Sequence, residues 1–176
     1  DLAEAAAMGQ MGEVQRLLKL GASIDGRSKF GSSALMLAVR NGRYELVRYF
    51  LNRGARLDLK NKSGDGLVAS AVESRDSNSS FIFILKAAGA KIDTREKGGD
   101  TPLMRAAQFN RRWRLKALLY CGADPSLKDK NGDTARALAV KKGFKEIVEI
   151  IDLYSSLKAG DAKAQLVFGD HLIRVR

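Results

Sequence analysis

Histidine and cysteine supply most of the bases, nucleophiles and metal ligands that work near neutral pH, and each occurs once, at His171 and Cys121. A nucleophilic hydroxyl or thiol needs a base oriented by a third group. His171 stands near the end of the chain, and Cys121 directly precedes Gly122-Ala123, a packing slot where a thiol behaves as a small apolar group. One Cys and one His cannot supply the usual zinc ligand set. Lys60-Asn61-Lys62-Ser63-Gly64-Asp65-Gly66 is glycine-rich, yet it is neither a Walker loop nor a dinucleotide fingerprint. Asp65, Asp100 and Asp133 recur singly at one place in a repeating pattern, as loop and cap residues do, and form no carboxylate pair. No catalytic residue, cofactor site or metal ligand is assigned. The chemistry that remains is charge: 31 Lys and Arg against 20 Asp and Glu give a net charge of +11. Such a surface steers acidic proteins, nucleic acid or anionic membranes, without choosing among them.

The elements that carry those charges follow from self-similarity. Gly-Ala steps after apolar runs fall at Gly21-Ala22, Gly54-Ala55, Gly89-Ala90 and Gly122-Ala123, at intervals of 33, 35 and 33 residues. A second landmark, a glycine ahead of a new helix, falls at Gly31, Gly64, Gly99 and Gly132 with the same intervals. Each unit reads as two helices. In the second, Ala34 to Val39 start a short helix that ends at Asn41-Gly42, where glycine supplies the left-handed C-terminus. Leu46, Val47, Tyr49, Phe50 and Leu51 follow on a second helix, and a polar connection runs from Asp58 to Ser63. Thr101 caps a later helix and Pro102 suits its first turn. One such pair cannot bury its own apolar face, so neighbours must stack.

Gly99-Asp100-Thr101-Pro102-Leu103-Met104-Arg105-Ala106, Gly132-Asp133-Thr134-Ala135-Arg136-Ala137-Leu138-Ala139 and Leu118-Leu119 leading to Gly122-Ala123-Asp124 resemble the ankyrin repeat. The resemblance covers about Leu2 to Tyr154. It implies an all-α fold, an ankyrin-repeat solenoid of stacked helix pairs with β-hairpin-type loops and a concave binding face. The expected units are about 1–25, 26–58, 59–93, 94–126 and 127–154, with 155–176 as a C-terminal extension. Met104 replaces the histidine usual in the family, which implies a weaker capping hydrogen bond.

Three places depart from the pattern. In the third unit Gly66-Leu67 replaces Thr-Pro, and Arg75-Asp76-Ser77-Asn78-Ser79-Ser80 lengthens the turn. That insertion is either tolerated, since loop closure costs little, or a partner contact. The fourth unit carries Phe109-Asn110-Arg111-Arg112-Trp113-Arg114 at its turn. Trp and Arg are enriched at interface hot spots, but Trp113 folding over its neighbour and Arg114 snorkelling along it is the equal alternative. In the tail, Gly169-Asp170 between two apolar runs reads as a hairpin turn, with a helix as the competing reading. The tail is expected either to cap the last repeat or to act as a binding arm.

Mapped onto this chain, the family's binding face implies a basic ladder on the loops: Arg27 and Lys29, Lys60 and Lys62, Arg95 and Lys97, Lys128 and Lys130. Arg40, Arg105 and Lys141 join it from first helices, with Met36 and Met104 as adaptable apolar contacts, Phe30 as an aromatic anchor, and Arg112 and Trp113 beside them. Asp25, Asp58, Glu96 and Asp129 dilute the field. The expected function is a non-enzymatic protein–protein interaction module that binds an acidic partner through its basic concave face and masks or inhibits it. Scaffolding without inhibition and binding of nucleic acid or an anionic surface are the alternatives. A monomer when free is expected, with no transmembrane segment. No signal-peptide pattern is visible, so the default compartment is the cytoplasm, and the periplasm or secretion if a leader precedes Asp1.

Overall fold

The computed structural model describes residues 1–75 and 79–158. Its helices come in five consecutive pairs: α1 (Leu2–Met8) with α2 (Met11–Lys19), α3 (Ala34–Arg40) with α4 (Tyr44–Asn52), α5 (Leu67–Val72) with α6 (Ser80–Ala87), α7 (Pro102–Gln108) with α8 (Arg112–Tyr120), and α9 (Ala135–Lys141) with α10 (Lys145–Lys158). Most are two turns long, too short to persist alone, so packing must hold them. The first helices stack in one row, α1–α3–α5–α7–α9. Their alanines let backbones approach closely, and Ala6, Ala38, Ala106 and Ala139 are fully buried. The second helices present larger side chains to the same continuous core, including Phe50, Phe81, Leu118 and Ile147.

The landmark glycines have a common cause. Gly21, Gly54, Gly89 and Gly122, like Gly31, Gly64, Gly99 and Gly132, all have positive φ, a conformation in which a side chain is disfavoured. The second set closes the loops. Gly64 N donates to Asn61 O at 3.0 Å and Asn61 N to Asp65 O at 3.0 Å, and the same pair of bonds recurs in the loops holding Gly31, Gly99 and Gly132. The hairpin-type loops are therefore tight turns. Among the described residues their only bridge is Arg27 with Ser33.

First-helix caps follow the sequence. Ser33, Thr101 and Thr134 each accept from the backbone N–H three residues on. Thr101 N in turn donates to Met104 Sδ at 3.4 Å, so the thioether fills the histidine's role with a weaker acceptor. Thr101→Ala is expected to cost about 1 kcal/mol in urea unfolding, the usual value of such a cap.

The third unit differs for physical reasons. Gly66 offers no side-chain cap, and α5 is a six-residue helix. Ser79, at φ 63, opens α6 in the left-handed region. Asn110, at φ 52, takes the glycine's place at the fourth unit's turn, because asparagine tolerates that region. Residues 76–78 of the insertion, and the tail hairpin and cap expected after Lys158, lie outside the described residues. α10 runs through residue 154 to Lys158.

Candidate protein-interaction surface

The eight loop cations separate into two rows with different occupations. In the first, Arg27 Nη1 donates to Lys60 O at 2.9 Å, Lys60 Nζ to Arg95 O at 2.6 Å, and Arg95 Nη1 to Lys128 O at 2.6 Å. Each side chain thus reaches the backbone carbonyl of its own counterpart one repeat on, a stitch along the stack. Lys128 ends the series.

The second row is Lys29, Lys62, Lys97 and Lys130. Its backbone is held down. A Cβ on Gly31 would lie 2.9 Å from Lys62 N, one on Gly64 2.9 Å from Lys97 N, and one on Gly99 3.1 Å from Lys130 N. Lys62, Lys97 and Lys130 therefore each sit directly on the glycine of the preceding loop. Among the described residues the ammonium groups of Lys62, Lys97 and Lys130 have no ion pair, while Lys29 Nζ stands 5.1 Å from the Phe30 ring centroid. Phe30 is 67% exposed.

The acids expected to dilute this field are held within the chain, although Asp25 and Asp129 accept only from backbone N–H groups and keep their negative charge. Asp25 accepts from Arg56 N, Asp58 pairs with Arg56 at 2.9 Å, and Asp129 accepts from the N–H groups of Asn131 and Asp133. Glu96 shows why one loop differs. Asn61 and Asp129, at its equivalent positions, bond back to their own turn. Glu96 is one methylene longer, and its Oε2 meets Arg105 instead, leaving Oε1 buried without a partner among the described residues. Burial pushes the Glu96 carboxyl above its ordinary range, against the pull of Arg105.

Arg105 anchors an ion network on the first-helix face. Its guanidinium meets Glu96 and Glu73, and Asp65 at 2.7 Å, while Glu73 also pairs with Arg40 at 2.5 Å. Burial opposes the Arg105 charge, but Glu96, Asp65 and Glu73 outweigh it and raise its pKa. Lys141 pairs with Asp133 at 2.5 Å. The first-helix arginines and Lys141 are therefore matched by carboxylates, whereas Lys62, Lys97 and Lys130 on the loops, like Lys19, Arg48 and Lys142 elsewhere, have no ion pair among the described residues. Met36 and Met104 correct the expectation of adaptable contacts. They are 2% and 1% exposed, because their spacing on the short first helices turns them into the row's core.

The fourth unit resolves as two features. Arg114 Nε donates to Ala71 O at 3.2 Å and Nη2 to Ser74 O at 2.6 Å, adding side-chain bonds to carbonyls at the C-terminal end of α5. Arg43 does the same for Ala7 O one pair earlier. Trp113 is partly exposed, with Arg112 at 5.4 Å and Lys116 at 4.8 Å from its ring centroid. Arg112 also meets Glu146 at 2.6 Å. Burial lowers the Lys116 pKa, with Glu146 opposing. Cys121 is buried and its thiol is pushed up by burial, which disfavours the nucleophilic thiolate. Arg43, Glu73 and Lys116 escaped the sequence reading, and Glu96 entered it only as a charge diluting the loop field.

A cleft of about 550 Å³ opens at the first two units, lined by Lys29, Phe30, Leu37, Arg40 and Ser63, with Asp1 and Glu4 also on its wall. Ser28 lines it too, with its Oγ buried beneath the surface and without a hydrogen-bond partner among the described residues. No helix among the described residues is long and apolar enough to cross a membrane.

Short helix pairs stacked in register, with loop cations laid along one edge, define a solenoid that presents surface. The profile of ankyrin repeats in three copies matches residues 2–61, and that of a single ankyrin repeat matches residues 98–130. The chain belongs to the ankyrin repeat family, whose repeats are protein–protein interaction modules. It is 31% identical over 151 residues to the E3 ubiquitin-protein ligase KEG of Arabidopsis thaliana, covering 85% of this chain and 9% of that protein. It is 28% identical over 150 residues to an L-asparaginase of Dirofilaria immitis, covering 85% and 25%. With ankyrin repeat protein nuc-2 of Neurospora crassa it shares 30% over 162 residues, covering 90% and 15%. The chain thus spans a quarter or less of these three relatives.

Proposed function

We propose that this chain is a non-catalytic binding module that takes an acidic partner protein on its loop edge and acts by covering that partner's surface. What supports the reading is the contrast within the loops: Lys62, Lys97 and Lys130 are unpaired among the described residues, while Asp25, Asp58, Glu96 and Asp129 are engaged within the chain. Complementary charge speeds encounter and selects partners. Relative to the expected basic concave face of loops and first helices, the contact narrows to the loops, because Arg40, Arg105 and Lys141 on the first helices are matched by acids.

The test is affinity capture run in parallel with the unaltered chain and with Lys62→Glu, Lys97→Glu and Lys130→Glu combined. A partner of net negative charge should be retained by the first and lost from the second, whose melting temperature should stay within a few degrees. Titrating the chain into that partner should then lower the partner's own activity. Unchanged activity would reduce the role to scaffolding, and equal retention by both chains would move the surface elsewhere. Tighter binding to generic duplex DNA, with a steep dependence on salt, would favour the nucleic-acid alternative.

A further inference from the structure

Lys116, on α8, is the one buried lysine among the described residues, at 6% exposure. A buried ammonium is costly unless a carboxylate or another acceptor meets it. Among the described residues this one has neither a hydrogen bond nor an ion pair. Glu146, whose charge acts on it, gives both its oxygens to Arg112 Nη1 instead, at 2.6 and 2.8 Å. What Lys116 Nζ does meet is the Trp113 ring, with its centroid 4.8 Å away, one turn back on the same face of α8.

The side chain lines a cleft of about 280 Å³ together with Glu146, Glu149, Ile150 and Leu153 of α10. Nζ is not among the side-chain atoms that are sealed from solvent and lack a partner, so it is open to that cleft. Burial favours the neutral amine and lowers the Lys116 pKa, while Glu146 opposes and Arg112 acts with burial. A desolvated lysine of this kind is the form that attacks carbonyl carbon.

The walls of the cleft also select the electrophile. Ile150 and Leu153 give an apolar chain a surface to lie on. Glu149 has no ion pair among the described residues, so with Glu146 it repels a chain ending in a carboxylate. An aldehyde would give an imine whose nitrogen takes up a proton again and restores the buried charge. An acyl group gives an amide, which stays neutral. A thioester suits this transfer because its thiolate leaves without help from an acid.

We propose that Lys116 is an acylation site for short, uncharged acyl thioesters. The neutral Nζ attacks the thioester carbonyl, the C–N bond forms as the C–S bond breaks, and the nitrogen's surplus proton leaves with the sulfur as a thiol. The acyl chain lies against Ile150 and Leu153, and Arg112 and Glu146 stay paired. The site is on a second helix and is independent of the loop lysines.

The experiment treats the whole chain at pH 7 with the butanoyl thioester of N-acetylcysteamine and, in parallel, with the succinyl thioester. Digestion by a protease that spares lysine, followed by mass spectrometry, gives the acylation rate at each lysine. The Lys116 rate is divided by the mean for the exposed Lys62, Lys97 and Lys130, which cancels the reactivity of the reagent. With the butanoyl thioester this ratio should be about ten or more, and with the succinyl thioester several-fold lower. Glu146→Gln, at a half-exposed side chain, should raise the butanoyl ratio by removing the charge that favours the ammonium. In denaturing urea the ratio should fall to about one, since the cleft is gone. A ratio of one or less in the folded chain overturns the proposal. So does a high ratio that persists in urea, which would trace the preference to the flanking residues alone. Equal ratios for the two thioesters overturn the choice of an uncharged acyl group.

Discussion

Arg105→Met is expected to lower the unfolding free energy by about 3–5 kcal/mol, the usual cost of removing one partner from a buried ionic cluster. The Arg105 side chain is only 18% exposed and neutralises Glu96, Glu73 and Asp65 together. Methionine matches its bulk but leaves three carboxylates facing one another around an apolar chain. Arg40 still meets Glu73, so Glu96 and Asp65 bear most of the loss. Urea unfolding at pH 7 measures it, with Lys141→Met as the comparison. Lys141 also pairs with an acid, yet its side chain is 63% exposed, and exposed pairs contribute about 0–1 kcal/mol.

The same variant carries a pH dependence of definite sign. Burial already raises the Glu96 pKa in the folded chain, and losing Arg105 raises it further. A carboxyl whose folded pKa lies above its unfolded value takes its proton first in the folded state. Its destabilising effect is full above the folded pKa and fades as pH falls through it. The gap in stability between the original chain and Arg105→Met should therefore narrow on acidification from pH 7. A constant gap would mean that losing Arg105 leaves the titration of Glu96 in the fold unchanged.

Gly64→Ala is the second large effect, at about 2–5 kcal/mol. Its φ of 85 places an alanine in the left-handed region, at about 1–2 kcal/mol. The new methyl would also stand 2.9 Å from both Lys97 N and Lys97 Cβ. Backbone cannot swing aside as a side chain can, so the next loop must shift, at a further 1–3 kcal/mol by the usual cost of overpacking. Gly54→Ala isolates the first contribution, since φ there is 73 and nothing lies within 4 Å of the added carbon. Urea unfolding of both variants should show Gly64→Ala losing clearly more. Equal losses would mean that the lysine row is not seated on its glycines.

Much of the fold was legible in the sequence for a local reason. A repeat protein buries its core mainly between adjacent units, so a period of 33 to 35 residues and the glycines that mark it already specify which helices meet. Left-handed glycines, the caps at Thr101 and Thr134 and the Asn110 turn follow from rules spanning a few residues. The same local reading stopped short at Met36 and Met104, whose exposure depends on how closely the neighbouring helix approaches.

The chain's sequence alone determined the class of surface, a stacked array with a net charge of +11 and loop cations in every unit from the second onward. Only the tertiary structure decided which of those cations are available. Arg27 and Lys60 reach carbonyls 33 and 35 residues on, and Arg105 draws in Asp65 from 40 residues away. Charge pairing depends on distances of a few ångströms, which sequence separation does not record until the repeats are stacked. Composition counts Arg95 and Lys97 alike, but Arg95 is bonded to the next loop and Lys97 faces outward unpaired among the described residues.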